Sequence, residues 1–310
     1  MNMILQLLLL VVGFVMLSKG SDWFVDGACD ISRRFHIPQL IVGLTIVAMG
    51  TSAPEAAVSI TSAFKGVADI TIGNIVGSNI LNILVILGLA SAIVPLSIAN
   101  STIRVDMPFL IVITAVLYVM GLDGTISFLD GLILAVCFIL YIAYLIYCAK
   151  FTPEGAGEEE PAKELKLWQA LLALVGGLAV IVLGSNIAVN AATEIARIIG
   201  ISERIIGLTI VALGTSLPEL FTSITAARKG NADIAIGNIV GSNIFNILFV
   251  VGLSALITPV PFSAAFRVDT LIALAAAVFL WVVSLPKRKL ARTAGILMLA
   301  GYLVYLLSII

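Results

Sequence analysis

Glu55 and Glu219 each follow a proline inside an apolar stretch long enough to cross a bilayer, in the matching strings G-T-S-A-P-E and G-T-S-L-P-E. A carboxylate in that setting is costly to keep, and side chains of this kind mark routes for ions or protons. Pro54 has no N–H to give the Gly50 carbonyl, and its ring crowds that carbonyl, so the helix is expected to break there; Pro218 does the same to Gly214. Thr51 and Ser52, and in the second copy Thr215 and Ser216, stand next to the break. Freed carbonyls, hydroxyls and a carboxylate then converge, and in hydrocarbon such irregular backbone is tolerated only where it is buried in protein or lines a cavity. A cation supplies the partner that all these oxygens lack.

One helix further on, G-N-I-V-G-S-N-I-L-N places Ser78 and Asn82 on one helix face, and Ser242 and Asn246 repeat the arrangement. Gly73 with Gly77, and Gly237 with Gly241, have the spacing that lets helices approach closely, which brings these oxygens against the broken helix. The inventory is all oxygen. Hard cations such as Ca2+ take about six to eight oxygen ligands, whereas transition metals recruit His or Cys. The one histidine, His36, falls in the loop after the first span and reads as a surface residue. Cys29, Cys137 and Cys148 are scattered and read as packing residues. Two glutamates facing each other without a counter-charge repel, whereas one Ca2+ cancels both. Sodium ions competing for the same oxygens would give exchange rather than cotransport. Asp22, Asp26 and Asp30 form a polar face on the first span, matched by Asn186, Asn190 and Glu194; it either lines an ion route or serves structure. Asp69 and Asp233 precede helices and read as N-caps.

The elements that must position these residues are duplicated. Residues 41–90 align with 205–254 at a constant offset of 164 with 35 identities and no gap, the mark of an internal repeat. Apolar runs predict an all-α chain of ten transmembrane helices, near 4–26, 39–64, 70–97, 107–121, 126–148, 167–195, 203–227, 233–260, 268–285 and 291–310. The N-terminal run has no basic n-region or small-residue cleavage site and reads as a first span, not a signal peptide. Residues 1–150 form a first five-helix repeat, 151–166 an acidic soluble linker, and 167–310 a second five-helix repeat. An odd number of spans per half inverts the second repeat. Charge agrees: twelve Lys and Arg residues, among them Arg33, Arg34, Lys150 and Arg228, fall on one side, and four, Lys65, Arg197, Arg204 and Arg267, on the other. That bias puts the linker in the cytoplasm and both termini outside. Inverted repeats with broken helices mark secondary transporters, whose sites lie near the midplane between the repeats.

Composition limits the alternatives. With 61% hydrophobic and 11% charged residues over 310 positions and a mean hydropathy of +1.17, the chain has too little polar surface for a soluble fold and reads as a polytopic membrane protein. A net charge of -1 and no basic patch exclude nucleic acid as a partner, and no obligatory protein partner is implied. No nucleophile–base constellation or cofactor fingerprint supports an intramembrane enzyme, and no cofactor is expected. A cation channel would use similar oxygens but needs a continuous pore.

These strings resemble the cation/calcium exchanger superfamily, whose two alpha-repeats carry G-T-S-x-P-E and G-N-x-x-G-S-N-x-x-N, and look most like its prokaryotic sodium/calcium exchangers. The resemblance covers both repeats and implies that Glu55 and Glu219 bind Ca2+ and Na+, with Thr51, Ser52, Thr215, Ser216 and the backbone carbonyls of Ala48 and Ala212 around them, and Ser78, Asn82, Ser242 and Asn246 completing the shell. It also suggests that spans one and six slide as a gate across the other eight. Some relatives, including potassium-dependent exchangers, have Asp where this chain has Asn246, which argues against K+ cotransport. Proton/calcium exchangers typically have N-A in place of T-S, which this chain keeps in both copies, so Na+ is the expected counter-ion. The expected function is therefore Na+/Ca2+ antiport by alternating access in a plasma or inner membrane, with electrogenic Ca2+ extrusion; an H+/Ca2+ antiporter or a K+-dependent exchanger is the alternative.

Overall fold

The apolar runs become long helices in the computed structural model, which describes residues 3–151, 166–201, 210 and 212–309. In chain order these are α1 (Met3–Phe35), α2 (Gln39–Thr51), α3 (Ala53–Phe64), α4 (Ile70–Ile93), α5 (Thr102–Asp123), α6 (Phe128–Phe151) and α7 (Leu167–Ile198). There follow α8 (Ala212–Thr215) and α9 (Leu217–Arg228), α10 (Ala232–Ile257) and α11 (Ala264–Ser284), and α12 (Arg292–Ile309). Among the described residues seven helices are long and apolar enough to cross a bilayer, or eight if α2 and α3, bent by 51° across Ser52, are counted as one broken span. The chain is an all-α multi-pass membrane protein. The expected linker lies almost wholly outside the described residues, as does the first part of the expected span at 203–227.

Burial sorts the helices into a centre and a periphery. The apolar windows of α4 and α10 are 78% and 83% buried, against 22% for α1 and 17% for α6. Leu8, Val11 and Val15 on α1 and Leu129, Ile139 and Leu140 on α6 point outward instead. Such an apolar exterior suits lipid, which leaves only close packing and polar contacts to hold the helices together. Glycines supply the closeness between α1 and α7: a Cβ on Gly27 would lie 2.6 Å from Leu174 N, and one on Gly177 2.6 Å from Phe24 N.

Several contacts between the two halves come in pairs that exchange under the 164-residue offset. Strands β1 (Leu96–Ser97) and β2 (Thr125–Ile126) pair antiparallel with β4 (Lys289–Leu290) and β3 (Val260–Pro261) respectively. The registers are Leu96 with Leu290 and Ile126 with Val260, so each pair maps onto the other when the halves are swapped. A two-fold relation between the halves produces this reciprocity. The likeness extends beyond the aligned block: R-V-D ends at Asp106 and again at Asp269. Asp106 Oδ1 accepts from Tyr141 at 3.3 Å and Asp269 Oδ1 from Tyr305 at 3.0 Å.

Several local expectations change. Helical geometry begins at Asp69, one residue before the span given for α4, and at Ala232 in α10; the N-caps are Ala68 and Asn231, which places Asp69 and Asp233 inside the first turn rather than at the caps. The first span runs on to Phe35, because its acids find partners: Asp22 and Asp26 meet Lys229 at 3.4 and 2.7 Å, and Asp30 meets Arg33. On α7, Glu194 pairs with Arg197 at 2.6 Å. The four acids of the polar face thus take part in ion pairs. His36 is exposed, as read from the sequence; Cys29 is buried and Cys137 and Cys148 are half-buried, which fits packing residues.

Candidate ion site

The helix break forms where the prolines demand it. Ser52 leaves helical geometry at φ -81°, ψ 6°, with Pro54 in the first turn of α3; Ser216 does the same at φ -89°, ψ 3°, ahead of Pro218. Helix α3 therefore starts with Glu55 in its first turn, and α9 with Glu219 in its own. Both carboxylates are buried, at 1% exposure each.

The two broken helices exchange partners. Ser52 Oγ donates to Glu219 Oε1 at 2.8 Å, and Ser216 Oγ lies 3.4 Å from Glu55 Oε1. Each glutamate is thus met by the serine that stands three residues before the other glutamate, so the two breaks lie against each other. Thr51 Oγ1 lies 3.0 Å from Asn238 Oδ1 and 3.1 and 3.3 Å from the Val47 and Ala48 carbonyls. Ser242 Oγ donates to the Ala48 carbonyl at 3.3 Å, and Ser216 Oγ lies 3.5 Å from Ser78 Oγ. Thr215 ends α8, which Ala212 begins.

The central helices bring the amides. Asn82 and Asn246 are each 1% exposed, and each begins a π-helical turn, Asn82–Leu87 and Asn246–Val251. Wider turns of this type are frequent at functional sites. Helix α10 reaches the break because Gly237 and Gly241 press on α2: a Cβ on either would lie 2.9 Å from Leu40 O or 2.6 Å from Leu44 O. The residue related to Leu44 by the offset, Leu208, lies outside the described residues.

Sequence reasoning missed four asparagines. Asn74 Nδ2 donates to Ser59 Oγ at 3.0 Å and Asn238 Nδ2 to Ser223 Oγ at 2.9 Å, each bracing the helix that carries a glutamate. Asn79 and Asn243 lie buried between α4 and α10. Their signal was present, since all stand at identical places in the two copies of G-N-I-V-G-S-N-I-x-N.

What remains is a set of acceptors without donors. Glu55 Oε2, Glu219 Oε2, Asn82 Oδ1 and Asn246 Oδ1 are buried and have no hydrogen-bond partner. Buried polar atoms left alone in this way demand an explanation, and buried carboxylates more so. The amide oxygens can only accept, as can the carboxylates when ionised, so a cation or its water is a fitting partner. Among the described residues no three His, Cys, Asp or Glu side chains gather, so the oxygens are those of two carboxylates, amides, hydroxyls and carbonyls, which suits a hard ion.

The family model described as sodium/calcium exchanger protein matches residues 5–147 and 169–310, nearly the whole chain in two parts. The chain belongs to the sodium/calcium exchanger family. Its relatives within reach include CaxA of Alkalimonas amylolytica, 39% identical over 98% of both chains. The inner membrane protein YrbG of Escherichia coli is 38% identical over 98% of this chain and 96% of its own. Among solved structures, the sodium-calcium exchanger NCX_Mj in a form soaked with Na+ and Sr2+ superposes with a TM-score of 0.86 at 32% identity, covering 99% of each chain. Exchanger family membership makes this chain a transporter rather than an enzyme.

Proposed function

We propose that this exchanger is a secondary active antiporter that moves Ca2+ against Na+ through one central site, by alternating access between two inverted five-helix repeats, residues 1–150 and 167–310. The observation that carries the reading is the crossed pair Ser52–Glu219 and Ser216–Glu55, with four acceptor oxygens around it that have no donor. The ligands are Glu55 and Glu219, with Thr51, Ser52, Thr215, Ser216, Ser78, Asn82, Ser242, Asn246 and the carbonyls of Ala48 and Ala212 contributing. One Ca2+ neutralises both carboxylates. Na+ offers the same oxygens a weaker, singly charged partner, so more than one Na+ must replace each Ca2+; if more than two do, the cycle carries net charge and extrudes Ca2+ electrogenically.

With ten spans both termini share one side, and the Lys/Arg bias argues for that side being outside and for the linker at 151–166 being cytoplasmic, in a plasma or inner membrane. The reciprocal strand pairs support the inversion, since β1 and β4 belong to loops that the charge bias puts on one side and β2 and β3 to loops on the other. The inner-membrane naming of YrbG supports the location. The test is uptake of radioactive Ca2+ into proteoliposomes loaded with Na+, repeated with a proton gradient alone and with or without K+. Uptake that requires internal Na+, ignores protons and is indifferent to K+ is expected. Uptake that follows the proton gradient without Na+ would replace this reading with H+/Ca2+ antiport.

A further inference from the structure

Asn79 and Asn243 have no part in the ligand set, yet they are 4% and 0% exposed at the contact of α4 and α10. Each amide donates to the other's backbone: Asn79 Nδ2 to Asn243 O, and Asn243 Nδ2 to Asn79 O, both at 3.2 Å. An amide whose nitrogen is committed to one side must turn its oxygen to the other. Those oxygens then accept from the next pair. Asn82 Nδ2 donates to Asn243 Oδ1 at 2.9 Å, and Asn246 Nδ2 to Asn79 Oδ1 at 3.1 Å. With their nitrogens held, Asn82 and Asn246 can only present Oδ1 in the opposite direction, and these are the two amide oxygens that lack a partner. A flipped amide would aim NH2, a donor with nothing to offer a cation, into the site instead.

We propose that Asn79 and Asn243 are positioning residues of the ion site, each fixing the amide orientation of a ligand contributed by the opposite repeat, so that oxygen and not nitrogen faces the ion. Asn243 orients Asn82 and Asn79 orients Asn246. The inference rests on the reading of Asn82 and Asn246 as ligands. It adds that neither repeat can assemble its own amide ligand alone, because the orienting oxygen comes from the other half.

The test is a double-mutant cycle read as half-saturating Ca2+ and maximal rate of Na+-driven uptake in proteoliposomes. Asn243→Ala is measured in the native background and in Asn82→Asp, whose carboxylate carries oxygen at both ends and has no orientation to lose. In the native background Asn243→Ala is expected to raise half-saturating Ca2+ by about 10–100-fold, as loss of an orienting partner does at metal sites, with little change in maximal rate. In the Asn82→Asp background it leaves half-saturation unchanged or lowers it, because it removes an acceptor facing an acceptor. An equal penalty in both backgrounds, which is what a packing role gives, or no penalty in the native background, overturns the proposal. The mirror cycle, Asn79→Ala against Asn246→Asp, decides the matter where Asn243→Ala does not yield folded protein. Failure of the underlying ligand reading looks different: Asn82→Ala itself would then leave half-saturating Ca2+ unchanged, whereas failure of the positioning role alone leaves the defect of Asn82→Ala in place.

Discussion

At the scale of residues, each glutamate uses one carboxylate oxygen within the protein and leaves the other without a partner. Glu55→Gln and Glu219→Gln keep the shape and an accepting oxygen while removing the charge. Each is expected to reduce Na+-driven Ca2+ uptake to background while the protein still elutes as a single species in size-exclusion chromatography; retained uptake in either would remove that residue from the site. The serines are unequal, since 2.8 Å is an ordinary hydrogen bond to a carboxylate and 3.4 Å is at its long limit. Ser52→Ala therefore raises half-saturating Ca2+ by roughly tenfold, the worth of one hydrogen bond to a charged group, and Ser216→Ala by less. The reverse order in uptake assays would contradict this geometry. Duplication marks the glutamates, the serines and Asn82/Asn246 twice in the sequence, and the structure buries both glutamates and both asparagines and sets each of Ser52 and Ser216 against a glutamate. The roles of Asn74, Asn79, Asn238 and Asn243 were not legible in the sequence, because the direction of an amide depends on what crosses it in three dimensions.

At the scale of elements, two kinds of contact join the helices and their magnitudes differ. Gly241 lets α10 touch the backbone of α2, and a Cβ there would meet Leu44 O at 2.6 Å. Gly241→Leu forces those helices apart at a cost of about 1–3 kcal/mol or more, the range for overpacking. Lys229 with Asp22 and Asp26 is a partly exposed ion pair, its side chains 29%, 38% and 55% accessible, and such pairs are worth no more than about 1 kcal/mol. Thermal unfolding in detergent should therefore show a clear drop in Tm for Gly241→Leu and almost none for Lys229→Gln. A larger drop for Lys229→Gln would mean that the pair holds α1 in place. Among the described residues the helices followed from hydropathy to within a few residues, apart from α1, which was expected to end near residue 26 and runs on to Phe35. The π turns at Gly43–Val47, Asn82–Leu87 and Asn246–Val251 leave no mark in the apolar pattern. They depend on packing across the bundle.

At the scale of the whole molecule, the halves meet through contacts that exchange under the 164-residue offset, from the paired strands to the crossed serines and the asparagine amides. The duplication was plain in the sequence; that side chains of one half would hydrogen-bond those of the other was not visible there, since no local pattern records which half a donor serves. The central claim is that two mirror-placed carboxylates share one ion. Binding of radioactive Ca2+ to the purified protein by equilibrium dialysis in Na+-free buffer tests it most directly, with the native chain compared to Glu55→Gln and Glu219→Gln. One Ca2+ per native chain, lost almost entirely in either single variant and displaced from the native chain by added Na+, is the predicted result. Two Ca2+ per native chain, with one retained in each variant, would contradict the account, because each glutamate would then hold an ion of its own.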